Sequence, residues 1–254
     1  GPNGTNYLTP GVSNSGNRIF SFQVTADYKR TFGKHDVSST LVYHQKEQIN
    51  SVPSASQNQI LPYCQQGIAG RLTYGYDSRY LIEGNFGYNG SENFYKNKRW
   101  GFFPSFSAGW VMSEEPFWSS ISEQISFFKL KASWGMMGND NVPAYQYMAQ
   151  YMFDTAGVAF GSGESTNQAK ALYLARVANP DVTWETAQTF NVGFVANFLK
   201  KFSLEGDYFF SKRSDILCTR NASIPSYSGL TLPDENIGKV NNHGVEFVGS
   251  YHDS

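Results

Sequence analysis

The amino-acid sequence predicts an all-β fold: an antiparallel up-and-down transmembrane β-barrel, of which this chain forms an incomplete arc of about nine strands. Three observations predict it. Apolar and polar residues alternate along successive segments, which is the pattern of strands with one apolar face. The connections between those segments are short and long in turn. The composition joins 16% aromatic residues to only 16% charged residues, and aromatic side chains favour pleated strands.

The alternation defines the strands in chain order, starting with a first strand from Ile19 to Tyr28. The predicted apolar face comprises Phe20, Phe22, Val24, Ala26 and Tyr28; Val37, Ser39, Leu41 and Tyr43; Leu72, Tyr74 and Tyr76; Tyr80, Ile82, Phe86 and Tyr88; Phe106, Ala108 and Trp110; Phe128, Leu130, Ala132, Trp134 and Met136; Phe190, Val192, Phe194, Ala196 and Phe198; Phe202, Leu204, Gly206, Tyr208 and Phe210; and, from a ninth strand starting near Val245, Phe247 and Tyr251. Polar residues occupy most of the intervening positions, so each strand has a second, polar face.

Short and long connections lie at opposite ends of these strands. Three short ones are tight turns at residues 32–34, 77–79 and 199–201, and a fourth, of about fifteen residues around Ser113–Pro116, is predicted to hold a helical turn. The others run from about ten to about forty-five residues and are rich in Gly, Asn, Ser and Pro. This sidedness is typical of outer-membrane barrels, whereas a soluble sandwich has no reason to segregate its loops by length.

Aromatic residues flank the short turns on the apolar face: Tyr28, Tyr76, Tyr80, Phe198 and Phe202. Such a band matches the aromatic girdle at a membrane boundary. Aromatic residues also cap strand ends in soluble sheets, so the band supports the membrane interpretation without requiring it.

Within the fifth strand, Gly101, Pro104 and Gly109 interrupt the pattern of bulky residues. Proline and glycine in a strand mark a bulge or a strand start, and a curved barrel needs such devices. We interpret these three residues as structural.

Composition excludes several classes of protein. A formal net charge of -1 gives no basic surface for nucleic acid, so no nucleic-acid partner is expected. The aromatic content argues against disorder. No stretch approaches the roughly 18 apolar residues of a membrane-spanning helix. Two cysteines, Cys64 and Cys218, do not make a disulfide scaffold; both are predicted in long loops on one side, which leaves open whether they pair.

Nine strands cannot close a bacterial barrel, because these have an even strand number and no free edges. Residues 1–16 are turn formers typical of the inside of a long loop. The sequence therefore predicts a piece of a longer chain.

Four segments resemble the SusC/RagA family of TonB-dependent outer-membrane transporters. They are GRLTYGYDSRYLIEGNFGYNGSENF at Gly70–Phe94, NKRWGFFPSFSAGWVMSEEPF at Asn97–Phe117, LKASWGMMGN at Leu130–Asn139, and the pair NPDVTWETAQTFNVGF at Asn179–Phe194 and NIGKVNNHGVEF at Asn236–Phe247. The four occur in the family's order and cover about half of the chain.

The resemblance implies a barrel of 22 strands around an N-terminal plug, located in the outer membrane of a Gram-negative, Bacteroidetes-like bacterium. Residues 1–254 then belong to the barrel domain, from the later half of its strands, without the plug and the final strands. The resemblance further implies import of large nutrients, glycans or peptides, with a SusD-like surface lipoprotein as partner and TonB acting through the missing N-terminal part. The remaining partner is outer-membrane lipid.

No chemistry-bearing motif supports an enzyme, and no cofactor is expected. The histidines His35, His44, His243 and His252 lack metal-ligand spacing. Asn139–Asp140–Asn141 offers oxygen ligands but lacks the other features of a calcium loop. Glu114 and Glu115 precede Pro116, which favours a helix N-terminus over a catalytic pair. We therefore predict no catalytic, cofactor-binding or metal-binding residues.

The long connection from Asn139 to Val182 is the strongest candidate for a functional segment, because loops of this length usually serve binding or gating. Its rings either contact ligand or pack the loop onto itself; they are Tyr145, Tyr147, Tyr151, Phe153, Phe160 and Tyr173. Three alternatives to an importer remain open: a soluble β-rich glycan-binding module, a passive barrel and an enzymatic outer-membrane barrel.

Overall fold

In a computed structural model, which describes residues 16–51, 61–153, 158–160, 167–169, 172–199, 201–219 and 232–251, the chain forms one large antiparallel sheet. The strands are β1 (Gly16–Phe32), β2 (His35–Ser51), β3 (Tyr63–Tyr76), β4 (Tyr80–Ser91), β5 (Trp100–Val111), β6 (Ile125–Asn139), β7 (Gln150–Phe153), β8 (Val158–Phe160), β9 (Asn167–Ala169), β10 (Leu172–Arg176), β11 (Glu185–Phe198), β12 (Phe202–Cys218) and β13 (Glu235–Tyr251). The nine-stranded sheet has the order β1-β2-β3-β4-β5-β6-β11-β12-β13. This is the predicted up-and-down arc.

The four short strands lie within the long connection between β6 and β11. There β7 pairs with β10, and β8 pairs with β9, in two small antiparallel sheets that the sequence analysis did not predict. Residues 1–15, which carry most of the predicted N-terminal loop, fall outside the described ranges.

The predicted faces are confirmed by the register. Cross-strand partners carry the apolar set from one strand to the next, as in Phe106 opposite Trp134 and Trp134 opposite Phe190. The rings of Phe106 and Trp134 stack with their centroids 6.3 Å apart. Phe106, Phe190 and many other large apolar side chains of this face are exposed in the structure, so the apolar face lacks the cover that a globular core provides.

The sheet curls toward its polar face. Residues from β1 to β12, including Lys29 and Asp207, line one shared space of about 970 Å³. Within it the ammonium of Lys131 pairs with the carboxylates of Glu205 and Asp207, the latter at 2.9 Å. The concave side of the arc is therefore polar and charged.

Short and long connections separate as predicted, and we name the two ends of the sheet accordingly. The turn end carries residues 33–34, 77–79 and 112–124 and the turn between β11 and β12; the loop end carries the connections between β2 and β3, β4 and β5, β6 and β11, and β12 and β13. The predicted helical turn is present as two 3-10 helices, Met112–Glu114 and Pro116–Ser120. Pro116 opens the second helix directly after Glu115, as expected. No helix in the described ranges is long and apolar enough to cross a membrane.

Neighbouring connections at the turn end are bonded to one another. The amide of Asp77 donates to the Lys34 carbonyl at 2.7 Å, the amide of Val111 to the Arg79 carbonyl at 2.8 Å, and the amide of Leu199 to the Gln124 carbonyl at 2.9 Å. These three bonds link all four turn-end connections into one continuous rim.

Ion pairs reinforce the rim. The Lys34 ammonium lies 2.9 Å from an Asp77 carboxylate oxygen, and the Arg79 guanidinium lies 3.4 Å from Asp77 and 3.5 Å from Glu115. The hydrogen bond from Lys34 holds the pKa of Asp77 below its usual value. Hydrogen bonds from the Tyr80 hydroxyl and then the Trp110 indole hold the pKa of Glu115 below its usual value.

Several details of the sequence prediction are wrong, among them the start of the ninth strand, which is Glu235 instead of a residue near Val245. Cys64 and Cys218 lie in β3 and β12 instead of in loops, and both are free thiols. The ladder between β4 and β5 runs through Pro104 without a bulge. Because β5 pairs with β6 only from Ser105 onward, Pro104 has a strand neighbour on one side alone, where a missing N–H is tolerated.

Candidate functional site

The loop end is built on a cluster of buried rings. Phe94, Val182 and Trp184 pack together, and Phe103 packs against them from β5. The Trp184 ring lies 5.1 Å from Phe94 and 5.2 Å from Phe103, measured between centroids. Its indole nitrogen donates to the Arg99 carbonyl at 3.1 Å. The β4–β5 and β6–β11 connections therefore share one apolar base with β5.

The cluster fills the place where β5 and β6 separate. An added Cβ at Gly138 would lie 1.9 Å from the Phe103 ring, and one at Gly101 would lie 2.3 Å from it. Only glycine at both positions lets the ring enter the gap between the strands. This explains two glycines of the second and third family-like segments.

Two asparagines brace the other side of the loop end. The Asn236 amide bonds both the N–H and the carbonyl of Thr183 at 3.0 Å, and donates to the Asp215 carbonyl at 2.6 Å. The Asn179 amide donates to the Asp234 carbonyl at 2.6 Å. The two parts of the fourth family-like segment, far apart in sequence, are therefore hydrogen-bonded to each other.

Beside this base lies a polar cavity of about 430 Å³, which we call the loop-end pocket. Its lining residues are Gln48, Asn50, Leu61, Tyr63, Asn93, Asp140, Asn141, Val142, Ala144 and Tyr145. Gln48 of β2 and Tyr63 of β3 face each other across the ladder, and both continue the polar face of the sheet. The pocket therefore opens on the concave, polar side of the arc.

Asp140 organises the pocket. One carboxylate oxygen accepts hydrogen bonds from the Tyr63 hydroxyl and the Gln65 amide, both at 2.7 Å. The Asp140 carbonyl accepts from the Asn93 side-chain amide at 3.0 Å. These bonds hold the start of the long connection against β3 and the loop after β4.

Asn93 leaves one strong acceptor unused. Its side chain is only 4% exposed, and its Oδ1 has no hydrogen-bond partner among the described residues. A buried amide oxygen without a partner costs free energy, and a donor from a ligand or an ordered water would remove that cost. The pocket is therefore suited to a group that donates hydrogen bonds.

Tyr145 closes the pocket from the long connection. It is buried, its hydroxyl donates to the Pro62 carbonyl, and its backbone has a φ of 55°, which is uncommon for a residue other than glycine. Burial raises the pKa of Tyr145 to about 12. The Arg176 guanidinium donates to the Tyr145 carbonyl at 3.0 Å, and burial lowers the pKa of Arg176.

The aromatic residues of the long connection differ in packing and exposure, and which of them contact ligand stays a prediction. Tyr145 and Tyr147 pack onto other loop-end rings, Tyr147 at 5.8 Å from Tyr95. Tyr151, Phe153 and Tyr173 are exposed. The side chain of Phe160 lies outside the described part of the chain.

Asn139, Asp140 and Asn141 are engaged in hydrogen bonds within this segment and with neighbouring strands. The Asn139 side-chain oxygen accepts from the Asn141 amide at 3.0 Å. Within the described residues, no group of three or more His, Cys, Asp or Glu side chains is placed to hold a metal. Asn93, Gln48 and Asn50 were missed by sequence reasoning, since isolated amides at strand ends carry no motif.

Comparison with known proteins identifies the family. The family described as "TonB dependent receptor-like, beta-barrel" matches residues 1–252. A TonB-dependent receptor of Formosa agariphila is 34% identical over 181 residues, covering 71% of this chain and 17% of the relative. The TonB-dependent receptor SusC of Bacteroides thetaiotaomicron is 31% identical over 199 residues, covering 76% of this chain and 18% of SusC. The chain thus spans less than a fifth of the curated relatives it matches.

Solved structures share the fold. The RagAB peptide transporter superposes on 92% of this chain, using 28% of its own, with a TM-score of 0.72 and 23% identity. The siderophore receptor PirA of Pseudomonas aeruginosa superposes on 92% of this chain, using 40% of its own, with a TM-score of 0.60 and 12% identity. Together with the sided nine-stranded arc, these matches establish that the chain belongs to the TonB-dependent receptor β-barrel family and resembles its SusC and RagA members, as its four sequence segments predict.

Proposed function

We propose that this chain forms part of the wall of a TonB-dependent importer in the outer membrane of a Bacteroidetes-like bacterium. The supporting observation is the sidedness of the sheet: an apolar face exposed across nine strands lies opposite a concave, polar face. A soluble module would expose that apolar face to water, which favours aggregation, whereas a lipid bilayer covers it.

In this proposal residues 1–254 belong to the barrel domain, and other parts of the protein supply the plug and the remaining strands. Each edge strand, β1 and β13, has a single neighbour in the described sheet. Open edges of this length call for further strands. The charged concave surface around Lys131 and Asp207 is the face that a plug would contact.

The proposed cargo is a large nutrient, a glycan or a peptide. Amide, phenol and carboxylate groups line the loop-end pocket, which opens on the polar side where cargo would pass. Both cargo classes carry hydroxyl or N–H donors that suit the Asn93 oxygen. A SusD-like surface lipoprotein is the proposed partner at the loop end, and TonB the energy-coupling partner. RagAB, which shares this fold, is described as a peptide transporter, and this supports a peptide as one of the two cargo classes.

The test uses the encoding bacterium with the gene deleted in frame and then complemented. Growth is measured on single polysaccharides and single proteins as nutrients, and uptake of a fluorescent oligosaccharide or peptide is measured with and without a proton uncoupler. Complementing alleles are wild type, Asn93→Leu, and Gln66→Leu as control, because Gln66 is an exposed amide on the opposite face of β3.

We expect the deletion to abolish growth on one nutrient class, wild type and Gln66→Leu to restore it, and Asn93→Leu to restore it poorly. Uptake should stop when the proton gradient is removed. Growth of the deletion strain on every nutrient would overturn the proposal. Uptake that ignores the uncoupler would indicate a passive barrel, and release of cleaved cargo outside the cell would indicate an enzyme.

A further inference from the structure

The connection between β5 and β6 folds back onto the apolar face of the sheet. Trp118, in the 3-10 helix Pro116–Ser120, is 7% exposed, and its ring stacks on Phe128 with centroids 5.4 Å apart. Phe128 in turn stacks on Phe194 at 6.2 Å. Because Phe128 and Phe194 both belong to the apolar face, Trp118 lies on the outside of the arc.

Apolar side chains continue beyond Trp118 without cover from the described part of the chain. Phe117 meets the Trp118 ring edge-on at 6.3 Å and is 58% exposed. Ile121, one turn further on, is 40% exposed. The row of rings from Phe194 to Phe117 therefore extends the apolar face past the ends of the strands.

Several polar groups between Pro116 and Ile125 are hydrogen-bonded within this connection. The Trp118 indole donates to the Ile125 carbonyl at 3.0 Å, the Ser119 hydroxyl to the Pro116 carbonyl at 3.1 Å, and the Ser122 hydroxyl to the Ser119 carbonyl at 3.0 Å. The amides of Trp118 and Ile121 close backbone bonds at 3.0 Å. Each of these internal bonds lowers the cost of moving its polar groups out of bulk water.

The level of the connection is marked by Tyr80 and Trp110. Their rings stack on the apolar face, and their polar tips both donate to one Glu115 oxygen, at 2.7 and 3.1 Å. Tyr and Trp side chains adopt this orientation at a membrane boundary, with the ring toward the acyl chains and the hydroxyl or indole N–H toward the headgroups. Glu115 therefore marks the polar boundary, and the next residues turn toward the apolar side.

We propose that residues 116–121 form an interfacial foot that contacts phospholipid at the boundary between headgroups and acyl chains, in the leaflet at the turn end. The continuity of its rings with the apolar face makes lipid the occupant. The foot rests on the proposed membrane location, because only a barrel in a bilayer has lipid beside it.

The test uses the whole protein that carries these residues, reconstituted into liposomes after Cys64→Ser and Cys218→Ser. One new cysteine at a time is labelled with an environment-sensitive fluorophore: Phe117→Cys in the foot, Phe106→Cys in the middle of the apolar face, and Glu123→Cys as a control in the same connection. Phe106 and Glu123 are both exposed. Quenching is measured with aqueous iodide and with phospholipid spin-labelled near the headgroup.

We expect the label at 117 to have blue-shifted emission, strong quenching by spin-labelled lipid and weak quenching by iodide, with the reverse at 123. Equal iodide quenching at 117 and 123, with lipid quenching retained at 106, would refute the proposal of an interfacial foot. It would leave the proposed membrane location of the barrel intact. Protection of 117 from both quenchers would indicate cover by protein and would also refute the interfacial foot. Loss of lipid quenching at 106 as well would overturn the membrane location itself.

Discussion

The gap between β5 and β6 that holds the Phe103 ring allows a quantitative test of the loop-end packing. The change is Gly138→Ala, which places a methyl group 1.9 Å from the ring carbon Cζ, far inside van der Waals contact. The ring cannot retreat freely, because Trp184 packs against it at 5.2 Å and Gly101 leaves no more space on its own side. Overpacking of this type costs about 1–3 kcal/mol.

Gly84→Ala is the matched control. Its added methyl group would also meet a phenylalanine ring, that of Phe106, but at an ordinary contact distance of 3.6 Å. Both substitutions restrict the unfolded backbone equally, so the difference between the two alanine variants isolates the clash. We expect Gly138→Ala to be less stable than Gly84→Ala by about 1–3 kcal/mol.

The assay is denaturant unfolding of the whole protein in detergent micelles, followed by tryptophan fluorescence, since Trp184 is in contact with the perturbed ring. A second background, Phe103→Leu, removes the ring and should abolish most of the cost of Gly138→Ala. Equal stability of the two alanine variants would refute the reasoning. A cost of Gly138→Ala that persists unchanged in the Phe103→Leu background would refute it as well.

Three further predictions concern single hydrogen-bonding groups. Asn236→Ala removes three hydrogen bonds of 2.6–3.0 Å, so we expect a loss of about 1.5–4 kcal/mol in the same assay and faster proteolysis at the loop end, neither of which Asn242→Ala should produce. Trp184→Phe keeps one aromatic ring but removes part of the buried indole and its donor to the Arg99 carbonyl, which still accepts from the Ser91 amide, so we expect a loss of about 1–3 kcal/mol; unchanged stability would contradict the assignment. The lowered pKa of Glu115 means that its carboxylate stabilises the fold at pH values above the unfolded-state pKa of about 4.3, and that this stabilisation is lost as the pH falls through the folded-state value. The stability difference between wild type and Glu115→Gln should therefore shrink on acidification, and a difference independent of pH would argue against the network.

Much of the sheet could be predicted because a strand with one apolar and one polar face has a sequence in which apolar and polar residues alternate. Alternation places Phe106, Trp134 and Phe190 on one face, and the register confirms it. Strand ends were harder to predict. The ninth strand begins at Glu235 instead of near Val245, because ladder hydrogen bonds continue where the apolar alternation has already faded. The same reason places Cys64 and Cys218 in strands.

The sequence pointed to the connection that supplies Asp140 and Tyr145, but the arrangement of the loop-end pocket could not be predicted. Its geometry depends on bonds between residues distant in sequence, such as Tyr63 with Asp140, and on the partnerless oxygen of Asn93. Single amides and phenols occur throughout this chain, so their types alone carry no positional information. Only the folded arrangement distinguishes Asn93 from its many counterparts.

The bonded rim at the turn end has a consequence for assembly. Each of its three backbone bonds joins one hairpin to the next along the chain: residues 34 and 77, 79 and 111, and 124 and 199. A hairpin that docks one residue out of step would invert its two faces and also miss the bond to its predecessor. The rim therefore favours a single register for each hairpin relative to its neighbour.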